Sequence, residues 1–439
     1  MAAQRRIDVV LDSVKRLLRI GATANLLNLL QKQHPADLAQ VLTSVHDSER
    51  QAVFSLLVER SARLAMEAVS EMGPEEGAKL LTARSAEEIS RLLTEIPSDD
   101  GAALIEHLPD ELSSEVLELM RRRESGQVES LLEYTEQTAG RIMNPQVFAL
   151  NEDLTVAEAI TALQNSRDVE MVFYLYVVDS RRHLVGVTSL RRLLLVSPET
   201  PLKRIMTPEI TSVRADTDQE EVARQVASYN LLAVPVVDEE NKLVGVVTVD
   251  DVIDVIKDEA TEDLLRLAGV SGDERIGTPA GEAIRKRLPW LIVNLGTAFV
   301  AASVVSLFEV TIQQVTALAV FMPIVAGMGG NAATQTLTVV VRGLALGELS
   351  WESTRKAVGK EALIGIGNGL ALGTIAAGVA WGMKANPVLG LVLGMAMICN
   401  MFVAATAGTL VPLGLKAMKV DPALGSSVFI TTFTDVVGF

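Results

Sequence analysis

Apolar residues in the first third of the chain recur at helical spacing. Val9-Val10-Leu11, Val14 and Leu17-Leu18 show it, as do Leu38 and Val41-Leu42, and together they predict helices throughout residues 7–140. Pro35, Pro74, Pro97 and Pro109 punctuate them. Two restarts, His34-Pro35-Ala36-Asp37-Leu38 and Ile96-Pro97-Ser98-Asp99-Asp100, set a proline near the first turn and acid after it, as helix N-termini favour. Short helices of this kind can stack as a small superhelix. Over residues 141–256 the pattern becomes one of short apolar strands, turns and helices. The last third carries long apolar runs at 289–308, 315–341, 362–383 and 387–415, and a fifth that begins near Asp421-Pro422. The first run is about 20 residues without a charge, enough at ~1.5 Å per residue to cross a ~30 Å hydrocarbon core. Five spans are predicted, the fifth, counted from Gly425 to Phe439, being too short to cross unless the natural chain continues.

Charge orients these spans. Arg285, Lys286 and Arg287 precede the first, Arg342, Arg355, Lys356 and Lys360 lie between the second and third, and Lys416 and Lys419 follow the fourth. The alternate loops hold only Glu309 and Lys384. By the positive-inside rule the basic loops are cytoplasmic, as is the N-terminal region. The second span is interrupted by Pro323 and by Gly327-Met328-Gly329-Gly330-Asn331. This composition favours a broken or pore-lining segment over a plain small-residue packing face. In the fifth, Asp435 stands among Thr431, Thr432 and Thr434. A carboxylate in an apolar span costs at least ~2.5–3.5 kcal/mol on insertion scales. With no base in any span to neutralise it, Asp435 reads as a cation site, and its oxygen-only surroundings suit a hard ion such as magnesium or calcium.

Composition divides the same way. Residues 1–284 carry 29 Lys and Arg against 49 Asp and Glu, a net −20, whereas residues 285–439 carry 10 against 6, a net +4. The −16 total with a mean hydropathy of +0.31 is that of a soluble acidic part joined to a membrane part. It excludes a uniformly soluble enzyme, a disordered acidic protein and a nucleic-acid binder with a basic face. Cys399 is the single cysteine, and His34, His46, His107 and His183 are scattered, so disulfide, Cys-based metal and zinc chemistry are not expected. Met1 to Arg6 leads into no apolar stretch, and no secretory signal is expected. The domains predicted are 1–140, helical and acidic; 141–256, the repeat; 257–284, an acidic connecting helix; and 285–439, a membrane domain.

The repeat is explicit. Arg141-Ile142-Met143-Asn144-Pro145 returns as Arg204-Ile205-Met206-Thr207-Pro208, and Leu184-Val185-Gly186-Val187-Thr188 as Leu243-Val244-Gly245-Val246-Val247. The pair resembles tandem CBS domains, ligand-sensing α/β modules. In such modules a Gly-x-x-Thr/Ser-x-x-Asp run can hold a nucleotide ribose. Gly245, Thr248 and Asp251 fit that spacing, while the first copy has Gly186 and Ser189 but Arg192 in place of the acid. A nucleotide such as ATP is therefore expected in the second copy only, unless Asp251 serves a metal instead. A dense acid run follows: Asp250, Asp251, Asp254, Asp258, Glu259, Glu262 and Asp263. Asp251, Asp254, Asp258 and Glu262 would share one helical face and repel, and a divalent cation would relieve them; a solvated acidic face is the alternative.

In order of parts, and in the motifs Gly327-Met328-Gly329-Gly330-Asn331, Asp421-Pro422-Ala423 and Thr431-Thr432-Phe433-Thr434-Asp435-Val436-Val437-Gly438, the chain resembles the MgtE family of magnesium channels and transporters. The resemblance implies a homodimer in the lipid bilayer with a pore on its two-fold axis, where Asp435 of both subunits holds hydrated Mg2+ beside Gly327, Gly330 and Asn331. It implies cytoplasmic sensor carboxylates at Glu220, Asp251, Asp254, Glu259, Glu262, Asp263 and Asp421, with Asp99 or Asp100 contributing, whose bound Mg2+ closes the pore. Asn230 stands where some relatives have an acid. A nucleotide-regulated secondary transporter of another solute, or one of broader cation range, is the competing reading, and no enzymatic activity is expected.

Overall fold

The computed structural model describes residues 2–121, 126–166, 174–272, 274–345, 348–349, 351–384, 386–424 and 426–439. The chain divides into two compact units, Met1–Val255 and Ile256–Phe439.

The first unit opens with the 18-residue helix Ala2–Arg19, and shorter helices follow, some of which start at prolines. Pro35 and Pro74 each begin a helix, Pro35–Ser44 and Pro74–Leu81, where the missing N–H costs nothing. His34 caps the former, its Nδ1 accepting from the Ala36 N–H at 3.3 Å. Pro97 caps Ser98–Glu106, whose first turn carries Asp99 and Asp100. Leu38, Leu42, Phe54, Leu57, Leu81 and Ile105 are among the side chains fully withdrawn from water, and their core is continuous with that of the second repeat through Met143, Val222 and Val247.

The repeats form two three-stranded sheets of identical order. β1 (Ala149–Asn151) pairs parallel with β2 (Tyr174–Val178), which pairs antiparallel with β3 (Leu184–Ser189). β4 (Val213–Arg214), β5 (Ala233–Val237) and β6 (Leu243–Thr248) repeat the arrangement, with the register shift at the same place, Val177/Val178 and Val236/Val237. The conserved pattern within the chain has a packing cause. A Cβ on Gly186 would lie 2.4 Å from Met206 Sδ, and one on Gly245 would lie 2.5 Å from Met143 Sδ. Each glycine of one copy thus seats the methionine of the other copy's Arg-Ile-Met motif.

The second unit contains four helices long and apolar enough to cross a membrane: Ala280–Leu307, Ala317–Ala345, Ser353–Met383 within Trp351–Lys384, and Pro387–Ala417. A fifth apolar helix, Ser426–Gly438, is 13 residues long, about 20 Å at ~1.5 Å per residue; Gly425, from which it was counted, lies outside the described residues. Two expectations need correction. The second span is one continuous helix, not a broken one, with Pro323 and the glycine run inside it. A single internal proline removes one backbone bond, and the neighbouring turns retain theirs. The glycines there serve approach: a Cβ on Gly329 would sit 2.3 Å from Asn400 Nδ2. Nor do residues 257–284 form one connecting helix. The acidic helix runs Val249–Leu267, and Ala280 already begins the first membrane helix.

The third and fourth membrane helices meet along a small-residue seam. A Cβ on Gly365 would fall 2.7 Å from the Met401 carbonyl, on Gly369 2.8 Å from Ile398 Cα, and on Gly373 2.8 Å from the Gly394 carbonyl. Glycine at every fourth position lets the backbones close where lipid supplies no hydrophobic drive.

Candidate functional site

The predicted site residues gather in three places. The first, in the soluble unit, is a cavity of about 870 Å3. Asp99 and Asp100 reach it from the first turn of Ser98–Glu106, Thr248 from the end of β6, and Asp250 and Asp251 from the start of the acidic helix. Tyr174 and Tyr176 supply an aromatic wall. Thr248 Oγ1 donates to Asp251 Oδ2, so the two ribose-site candidates hold each other. Gly245 belongs to the methionine contact and is not among the lining residues. Burial, countered by the Thr248 bond and joined by the charges of Asp250 and Asp100, pushes the Asp251 carboxyl up to about 7. Burial, then the charges of Asp251 and Asp100, holds Asp99 well above the ordinary carboxylate range. Asp99 Oδ1 and the Tyr176 hydroxyl are buried there with no hydrogen-bond partner among the described residues. Two orphaned oxygens and a set of crowded carboxylates are what a cation or a polar ligand would satisfy.

The second place lies in the membrane unit, at the C-terminal end of the acidic helix. Arg266 Nη2 pairs with Glu262 Oε1 and Arg266 Nη1 with Asp421 Oδ2. Asp421 Oδ1 also accepts from the Ala423 N–H at 2.8 Å, which fixes the loop before the fifth helix. Asp263 is pushed up to about 6 by burial and by the charges of Asp421 and Glu259. The single acidic face expected from sequence is thus divided: Asp251 faces the cavity of the first unit, while Glu259, Glu262 and Asp263 act together with Asp421. Asp254 is exposed, and Glu220, 3.8 Å from Arg224, lies outside the cavity lining. Asn230 has a local explanation. It caps Gln219–Tyr229 in the left-handed conformation at φ 51°, which Asn tolerates better than most residues. Among the described residues no three His, Cys, Asp or Glu side chains form a ready chelate, so a divalent ion here would be held through its waters.

The third place is the fifth membrane helix. Thr431 Cγ2 would lie 3.8 Å from a Cβ on Gly330, and Gly438 closes on Asn400 and on Ala326 of the second helix. Asp435 shares their helical face, which sets it beside the glycine run. Gly327 and Asn331 are exposed in the single chain, in line with exposed Thr334 and Thr338. The second helix therefore carries an uncovered polar stripe on a segment long enough to lie in lipid.

Models of protein families match the chain in the same three parts. The MgtE intracellular N domain covers residues 33–137, CBS domains cover 139–199 and 202–258, and the MgtE divalent cation transporter model covers 322–439. A magnesium transporter MgtE of Thermus thermophilus is 38% identical over 433 residues, 97% of this chain and 95% of that protein. The chain belongs to the MgtE family. A second MgtE, from Enterococcus faecalis, is 40% identical over 314 residues, covering 71% of this chain and 69% of the relative. Among solved structures, the cytosolic domain of the Mg2+ channel MgtE in complex with ATP is 38% identical, with a TM-score of 0.53, covering 56% of this chain and 99% of that one. The soluble part of a magnesium transporter is 30% identical, with a TM-score of 0.52, covering 58% and 99%.

Within this MgtE chain, sequence reasoning passed over three polar residues. Glu361 was left just outside the third apolar run, yet it is 8% exposed and accepts from Thr336 Oγ1 at 3.3 Å. Asn400 is fully buried and donates from Nδ2 to the Val325 carbonyl at 2.8 Å. Asn400 lies in apolar sequence, where a lone polar residue is itself the signal, whereas Glu361 directly follows Lys360 at the edge of an apolar run. Arg266 stands four residues after Glu262, a spacing that predicts their pairing.

Proposed function

We propose that this protein conducts magnesium across the membrane as a homodimer, with its N-terminal region in the cytoplasm and its carboxylates acting as the magnesium sensor. What supports the reading is that Asp435 shares a helical face with Thr431 and Gly438, which approach Gly330 and Ala326 of the second membrane helix, the helix that carries the uncovered polar stripe. Lipid does not satisfy such a stripe, but a second copy related by a two-fold axis would, and would bring two Asp435 carboxylates to one path. Asp435 then attracts the hydrated ion as a hard anionic donor, and Gly327, Gly330 and Asn331 leave room for its water shell, which magnesium sheds reluctantly. The basic loops flanking the spans support the cytoplasmic orientation of the acidic region.

For sensing, Asp99, Asp100 and Asp251 form one group, and Glu259, Glu262, Asp263 and Asp421 the other. Burial and like charge disfavour the ionised state of Asp99 and Asp251 in the first and of Asp263 in the second, so an ion that binds relieves repulsion and favours the compact arrangement. Asp254 and Glu220 contribute field rather than direct contact. The cavity beside Thr248 and Asp251 also suits a nucleoside such as that of ATP; a related MgtE cytosolic domain was solved in complex with ATP. Reconstituted in liposomes, the full chain is expected to carry Mg2+ inward into a Mg2+-free lumen and to slow as Mg2+ rises on the side of the soluble region. Absence of any flux would overturn the transport reading, and flux indifferent to Mg2+ on that side would overturn the sensor.

A further inference from the structure

We propose that Arg266 is an internal competitor for the divalent cation at the Glu259, Glu262, Asp263 and Asp421 group, and so sets the cation concentration at which that group binds. The inference rests on the sensor reading above. Its basis is that one guanidinium spans the two elements that the ion is proposed to bridge: it engages Glu262 on its own helix and Asp421 in the loop before the fifth membrane helix. The planar fork of an arginine can serve two carboxylates at once, which an ammonium cannot do as well. Glu259 adds its charge to the same guanidinium.

This arrangement changes what the cation must do. A single guanidinium charge cannot balance a group of four carboxylates. A divalent ion supplies twice the charge, but Glu262 Oε1 and Asp421 Oδ2 become available to it only when the guanidinium leaves. Glu262 has little room to retreat, because Gly272 lies so close that a Cβ there would meet Glu262 Cγ at 2.4 Å. Asp421 is held by its bond from Ala423. Exchange therefore falls to Arg266, whose side chain is 31% exposed and can swing into water. The ion enters as the guanidinium leaves, with no proton transfer required.

The test is magnesium-dependent protection of the full-length protein against trypsin at the 275–276 bond, beside the fully exposed Ile276, read by mass spectrometry. Proteins are purified in saturating Mg2+ and titrated downward, so that each variant starts from its ion-bound state. Arg266→Gln should move the half-protection point to a Mg2+ concentration lower by about threefold or more, the scale of one partly exposed ion pair. Arg266→Lys, which keeps the charge but loses the fork, should fall between Gln and wild type. An unchanged or higher half-protection point in Arg266→Gln would overturn the competitor role. Should Gln not fold even in Mg2+, Arg266→Lys decides the matter by the same sign. A wild-type protein with no Mg2+-dependent protection would instead remove the sensor reading on which the inference stands.

Discussion

At the scale of residues, two glycines of the second membrane helix stand two positions apart in sequence yet have different surroundings. A methyl on Gly329 meets Asn400 at 2.3 Å, whereas a methyl on Gly327 meets nothing within 4 Å. Gly329→Ala should therefore lower stability by about 1–3 kcal/mol, the usual cost of overpacking, seen as earlier thermal unfolding in detergent. Gly327→Ala should unfold with the parent. Equal losses in both would contradict the packing described. The carboxyls of Asp251, at about 7, and Asp263, at about 6, make a second prediction. Both lie above their unfolded values, so between pH 4 and 7 the folded chain binds more protons than the unfolded one. Their stabilising contribution is complete below the unfolded pKa and is lost as pH rises through 6 to 7. Groups shifted downward, such as Asp216, exert their effect at lower pH. In EDTA the melting temperature should fall from pH 5.5 to 8, and Mg2+ should restore more of it at pH 8. A rise over that interval would refute the assignment.

At the scale of elements, the second membrane helix is the most informative. Its buried face, with Val325, Gly329, Ala333, Thr336 and Leu337, packs into the unit, while Gly327, Asn331, Thr334 and Thr338 remain open. If a second copy covers that stripe, Thr334→Cys in a Cys399→Ala background should form a disulfide-linked dimer under mild oxidation in membranes. A cysteine at exposed Leu363, on the third helix, should not. Cross-linking confined to the Leu363 position would place the interface elsewhere. The same helix shows where sequence reading succeeds and where it stops. Length and hydropathy found the apolar runs, and the positions of Pro35, Pro74, Pro97 and Pro109 found four of the starts in the helical domain, because both are local properties. Which of these glycines serves packing is decided by a neighbour, Asn400, about seventy residues away in sequence and invisible to local pattern. The acidic run was read as a single face for the same reason: the partners that divide it, Asp99 and Asp421, lie far along the chain.

At the scale of the whole molecule, the charge division acquires a physical role. The −20 of residues 1–284 is concentrated repulsion that divalent ions screen far better when they bind specific carboxylates than monovalent salt does at equal ionic strength. A few millimolar Mg2+ should raise the melting temperature of the full chain by several degrees, while NaCl matched in ionic strength should do little. Matched effects would reduce the sensor to general screening. The central claim concerns the pore, and it is tested most directly by Mg2+ flux through liposomes bearing wild type or Asp435→Asn at equal protein content. The account predicts that the variant folds, inserts and loses at least about tenfold of the flux; an Asp435→Asn protein that conducts Mg2+ as the wild type does would contradict it.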